Sequence, residues 1–287
     1  MSKVTKGGKK KAAAALIILA VLAAFIWSPF SNCGISFAVM KVYSGIHERE
    51  SLMAEAGIEI EIPGGTVTEE KDWYPFVMTY NPGDGFGRFT GEDAELSIMY
   101  NFPAFDVTKG GSMLFNPSSP YYNGFYGAYM IKGEDGDGNP YGFDKDGRLD
   151  LDAVSKVPEF DFQYLVLADF GLEREDMVFE WEIADFEEGV SYAGSDGWTR
   201  VDAVLTVNGA YHHRDKFRRS YLQYGTPAGF DGKGADFAPV EMKGRVYGKY
   251  FDEYGAGIFF YVMAADEGVL KACDEEILSG SRIREVS

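Results

Sequence analysis

Residues 121–131 read Tyr-Tyr-Asn-Gly-Phe-Tyr-Gly-Ala-Tyr-Met-Ile, and residues 257–264 read Gly-Ile-Phe-Phe-Tyr-Val-Met-Ala. Both runs are apolar or small on either face, the pattern of a strand covered on both sides of a sheet. Outward from them, Ile58-Glu59-Ile60-Glu61-Ile62 alternates with a period of two, as a half-buried strand does. Residues 73–80 read as an edge strand because Pro75 cannot donate to a ladder. Further strands are expected over 95–102, 177–186, 198–207, 211–224 and 240–250. Pro63-Gly64-Gly65 and Asn81-Pro82-Gly83-Asp84-Gly85 carry turn chemistry. Helices are few: one over 34–56 closed by Gly57, one over 160–170 stopped at Gly171, and a last one capped by Asp266. In that last helix Val269, Cys273 and Ile277 recur every four residues before Gly280. The fold class that follows is mainly β, a β-sandwich or two packed β lobes with a few short helices.

A transmembrane helix is expected ahead of this domain. Every residue from Ala12 to Trp27 is apolar, and the run extends to Phe30. Nineteen helical residues span about 28 Å, close to the hydrocarbon thickness of a bilayer. Lys3, Lys6, Lys9, Lys10 and Lys11 are the only charged side chains before Lys41. They hold the N-terminus in the cytoplasm and send the rest across, giving a single-pass signal-anchor. A cleaved leader ending near Ser36-Phe37-Ala38 and a lipid anchor on Cys33 are rival readings that leave the domain on the same side.

Composition divides the chain into a basic tail (1–11), the anchor (12–30), a membrane-proximal segment (31–57), a first β-rich lobe (58–132), an acidic Gly-rich linker (133–148), a second β-rich lobe ending in a helix (149–280) and a frayed tail (281–287). The net charge is -18, and -23 once the five leading lysines are set aside. So acidic a domain repels nucleic acid and attracts cations or basic partners. Cys33 and Cys273 form no zinc or redox motif. An oxidising compartment would let them pair, but the place of Cys273 on an apolar helical stripe favours a buried free thiol.

Three sets of residues are candidates for function. Asp135, Asp137 and Asn139 have the 1-3-5 spacing of a calcium loop, with Asp146 at its twelfth position and Asp144 in a second acidic set that continues to Asp150 and Asp152. Pro140 stands where the sharp turn calls for glycine, so a solvated acidic linker competes with calcium as the reading. In the basic run 212–219, a strand would place His212, Arg214, Lys216 and Arg218 on one face, a stripe suited to carboxylate or phosphate. Pairing with acids on neighbouring strands is the plainer role. Trp73, Tyr74, Phe76, Tyr80, Tyr121, Tyr122, Phe125, Tyr126 and Tyr129 offer a stacking platform for sugar or peptide, or simply a core.

No hydrolase elbow, zinc helix, phosphate loop or dinucleotide fingerprint is present. The expected function is a membrane-tethered extracytoplasmic module binding a protein or polysaccharide partner, as in a cell-envelope complex. The alternative is a surface hydrolase acting on cell-wall or carbohydrate substrate through paired carboxylates.

Overall fold

A computed structural model describes residues 6–26, 42–63, 76–102, 105–106, 111–112, 120–122, 124–167, 172–208 and 238–286. Helix α1 (Lys6–Ile26) comes first. Helices α2 (42–49) and α3 (Leu52–Glu55) follow, α3 capped by Ser51, whose hydroxyl accepts from the Ala54 N–H at 3.2 Å. Gly57, at φ +66°, turns the chain into β1 (Ile58–Glu61). Then come β2 (Phe76–Tyr80), α4 (Gly85–Thr90), β3 (Asp93–Phe102), the short pair β4 (Phe105–Asp106) and β5 (Gly111–Ser112), and β6 (Gly124–Glu134). Helices α5 (Leu151–Val154) and α6 (Lys156–Phe160) run into a π-helical turn, Asp161–Leu167. Strands β7 (Phe179–Tyr192), β8 (Ser195–Asn208), β9 (Pro239–Phe251) and β10 (Ala256–Ala264) precede α7 (Glu267–Glu275) and β11 (Arg282–Glu285).

Seven strands form one antiparallel sheet in the order β2-β3-β6-β10-β9-β8-β7. All nine residues of β10 are buried, as its unbroken apolar run requires. Among the described residues one large sheet stands where two facing sheets or two lobes are expected, and in it β6 pairs with β10 from Ile131↔Gly257 to Gly124↔Ala264. Strands on either side of the acidic 133–148 segment are thus neighbours in one sheet. Strands apolar on both faces belong side by side at the centre of a sheet covered on both sides, and burying them there outweighs the local composition break.

Register places Trp181, Val246, Tyr261 and Tyr129 on one face of the sheet, covered by α6 and the π turn through buried Val157, Phe160 and Phe162. The opposite face takes α7, whose Asp266 cap accepts from the Val269 N–H at 3.0 Å. Glycine is needed where these layers touch. A Cβ at Gly124 would lie 2.6 Å from Cys273 Sγ, and one at Gly257 would lie 2.5 Å from the Phe143 ring. Cys273 is a free, fully buried thiol, and burial pushes it well above the ordinary thiol range.

One further expectation changes: residues 282–285 form a strand where a frayed tail is expected. Arg282–Glu285 pairs with Ile58–Glu61, the basic and acidic side chains of the two ribbons alternate in register, and Arg284 reaches Glu61 at 2.8 Å. And among the described residues no helix is long and apolar enough to cross a membrane. The described side chains of α1 are those of 14–24, and they are largely exposed.

Candidate acidic cleft

The 134–150 segment contains two turns of one design. Asp135 Oδ1 accepts from the N–H groups of Asp137 and Asn139, both at 2.9 Å. Asp144 Oδ1 accepts from those of Asp146 and Arg148 at 2.8 and 2.9 Å. Each turn is closed by a backbone bond, from Asp135 N–H to the Asn139 carbonyl and from Asp144 N–H to the Arg148 carbonyl. Gly138 and Gly147, at φ +80° and +75°, supply the left-handed residue in equivalent places. The donors hold both carboxyls below the usual range: chiefly Asn139 for Asp135, and Arg148 for Asp144.

The expected calcium ligands lie in these two turns. Asp135 and Asn139 are bonded to each other, Asn139 Nδ2 donating to Asp135 Oδ2 at 3.1 Å. Asp137 and Asp146 give their backbone N–H groups to the two turns, and Asp144 belongs to the second turn alone. Among the described residues, no group of three or more His, Cys, Asp or Glu side chains is placed to hold a metal ion. The basic stripe of His212, Arg214, Lys216 and Arg218 lies outside the described residues, as do Cys33, Trp73 and Tyr74. Of the aromatic set, Tyr121, Phe125, Tyr126 and Tyr129 are core residues.

The first turn walls a cleft of about 430 Å³. Phe89, Thr90 and Glu92 come from α4 and the corner before β3, Tyr141 and Gly142 from between the two turns, and Asp150, Asp152, Lys156 and Glu159 from α5, α6 and their cap. Asp150 is fixed as the cap of α5, accepting from Asp152 N–H at 2.9 Å. Arg174 completes the rim. Five carboxylates therefore face two cations, and Lys156 is already paired with Glu159 at 2.9 Å. Burial, and then Glu92, Asp150 and Glu159, keep the Tyr141 phenol protonated well above its usual range. Phe86 packs edge-on against both Tyr141 and Phe160, tying the floor of the cleft to the core. The cleft has the volume of a ligand site and the potential to attract a basic group.

Two other features compete for attention. A larger groove of about 1220 Å³ beside β1 and β11 has mixed charge, with Arg284 already on Glu61. On the α7 face, buried Asp274 accepts from Tyr192 Oη at 2.7 Å, Tyr247 Oη at 2.9 Å and Arg245 Nη1 at 2.9 Å. Arg245 also binds Asp202 at 2.5 Å, Tyr192 stacks on Tyr247 at 3.6 Å, and Arg200 extends the chain to Asp202, Asp185 and Glu187. This network joins α7 to β7, β8 and β9.

Sequence reasoning found Asp135, Asp150 and Asp152 but not Glu92, Tyr141, Glu159 or Arg174, which share no local motif and meet only through the packing of α4 and α6. Comparison of the chain with protein-family models, with curated proteins and with solved structures finds no match.

Proposed function

We propose that this protein is a membrane-tethered, extracytoplasmic binding module that offers its acidic cleft to a basic segment of a protein partner. The observation that carries the tether is the exposure of α1. Leu16, Ile17, Ile18 and Leu19 are 68%, 64%, 59% and 63% exposed. At 100° per residue, four consecutive positions point to all sides of a helix, so the apolar surface has no polar side to turn to water. Lipid suits such a stretch, and the lysines at the N-terminal end of α1 favour a cytoplasmic N-terminus. Protease added outside intact cells tests the placement. It should degrade 42–287 and spare an epitope fused at Met1, and protection of the domain would reject the reading.

The binding surface is tested separately. A fluorescent decalysine peptide should bind the full-length protein more weakly when Glu92→Gln and Asp152→Asn are combined. It should bind normally when Glu180→Gln and Glu182→Gln remove equal charge from β7. Equal weakening by both pairs would mean attraction to net charge alone.

The hydrolase alternative draws on the same cleft, since it gathers several carboxylates. A general acid needs a raised pKa. Asp135 is held in the opposite direction by its own turn, so it does not suit the acid role.

A further inference from the structure

Of the two cations on the acidic cleft, Lys156 is paired with Glu159, whereas Arg174 forms no ion pair among the described residues. Arg174 opens a single 3-10 turn, Arg174–Asp176, ahead of β7, and its guanidinium lies over the Tyr164 ring, 5.8 Å from the ring centre. Tyr164 in turn packs edge-on against Phe89 at 5.4 Å and stacks on Phe160 at 5.3 Å, so this perch extends the cleft wall. A ring offsets part of the charge but accepts no ordinary N–H bond, so the planar fork of donors stays open.

Tyr141 is the second polar group left over. It is 6% exposed, and its hydroxyl makes no hydrogen bond among the described residues. The charges that act on it are Glu92, Asp150 and Glu159, all of which line the cleft, so the hydroxyl faces that space. A phenol hydroxyl both donates and accepts. Of the carboxylates, Asp135 is committed to its own turn, Asp150 caps α5 and Glu159 holds Lys156. The carboxylates of Glu92 and Asp152 make no such bond among the described residues.

A wholly cationic guest would satisfy Glu92, Asp152 and Tyr141 but be repelled by Arg174. A guest with a carboxylate beside its cation satisfies both sides. A planar carboxylate is also the group that a guanidinium fork grips through two parallel N–H bonds. In a polypeptide, a single residue carries both groups only when a lysine or arginine stands at the C-terminus. A cleft of about 430 Å³ has room for such a residue.

We propose that the cleft takes the C-terminal residue of a polypeptide ending in lysine or arginine, with its side-chain cation against Glu92, Asp152 and the Tyr141 hydroxyl and its α-carboxylate on Arg174. The inference rests on the cleft being the site for a basic segment, and it adds which end of that segment enters.

The test titrates the full-length protein, in detergent, into two N-terminally fluorescent peptides and follows anisotropy. One is Gly-Ser-Gly-Ser-Gly-Lys with a free C-terminal carboxylate, and the other is the same peptide ending in an amide. Attraction to net charge alone favours the amide, which is the more positive. The expected result is the reverse: the acid binds about fivefold more tightly, the worth of a well-made exposed ion pair. Arg174→Gln should remove the difference, and Glu92→Gln combined with Asp152→Asn should weaken both peptides. Free lysine should compete poorly, because its α-ammonium would lie beside Arg174. Equal binding of acid and amide, with both weakened by the double substitution, would overturn this inference and leave the basic-segment reading standing. Indifference of both peptides to the double substitution would overturn the two together. Competition by free lysine as strong as by the unlabelled acid would overturn the choice of a chain end.

Discussion

Replacing Asp274 by alanine would remove the acceptor that Tyr192, Tyr247 and Arg245 share. The Asp274 side chain is 3% exposed and that of Arg245 13%, so solvent replaces little of what is lost. Two phenol donors would be left buried, and the guanidinium would keep only Asp202. Breaking a buried pair from one side costs about 3–5 kcal/mol. A chain of this size loses about 2–4 °C of Tm per kcal/mol, so the fall should be roughly 6–20 °C. Thermal unfolding followed by circular dichroism measures it. The internal control is Glu55→Ala, which breaks the exposed pair with Lys132 and should cost no more than about 1 kcal/mol. A drop of under about 4 °C for Asp274→Ala would refute the claim that this network fastens α7 to the sheet.

Burial raises the phenol pKa of Tyr126, Tyr129, Tyr192, Tyr247 and Tyr261. The fold therefore favours their protonated forms. The stability they contribute is complete below the unfolded value of about 10 and is lost as pH rises above it. Absorbance at 295 nm should show these tyrosines ionising together with unfolding, and free titration near pH 10 in a folded protein would contradict this. Cys273 should react with a thiol reagent only in denaturant, and prompt reaction of the native protein at that residue would disprove its burial. Gly124→Ala should lower stability by about 1–3 kcal/mol through overpacking against Cys273 and Val269, measurable by urea titration. Millimolar calcium should leave the melting temperature unchanged, because the Asp135 and Asp144 carboxylates already hold their own backbones. A clear rise would mean that the turns rearrange around an ion.

Local signals carried much of the fold. The alternation at 58–62, the continuous apolar runs of β6 and β10 and the Asp266 cap are all properties of short segments, and they appear where the residues imply. What was hidden is non-local. Nothing near Ile131 or Gly257 says that they pair across the acidic segment. The C-terminal Arg282-Ile283-Arg284-Glu285 looks polar until Ile58–Glu61 lies beside it with complementary charge. The glycines at 124 and 257 resemble strand weakeners until Cys273 and Phe143 are seen above them. The candidate site was legible only in part for the same reason. Asp135 advertised itself by spacing, but its self-capping turn depends on backbone geometry that spacing does not show. Glu92, Tyr141 and Arg174 are brought together by helices α4 and α6 rather than by any motif.

The tether is tested most directly by floating cell membranes that hold the full-length protein through a density gradient after a wash in high salt. Salt strips proteins held by charge, whereas a helix seated in lipid stays until detergent dissolves the bilayer. The protein should rise with the lipid and sink once detergent is added. Recovery at the bottom of the gradient without detergent would contradict the account.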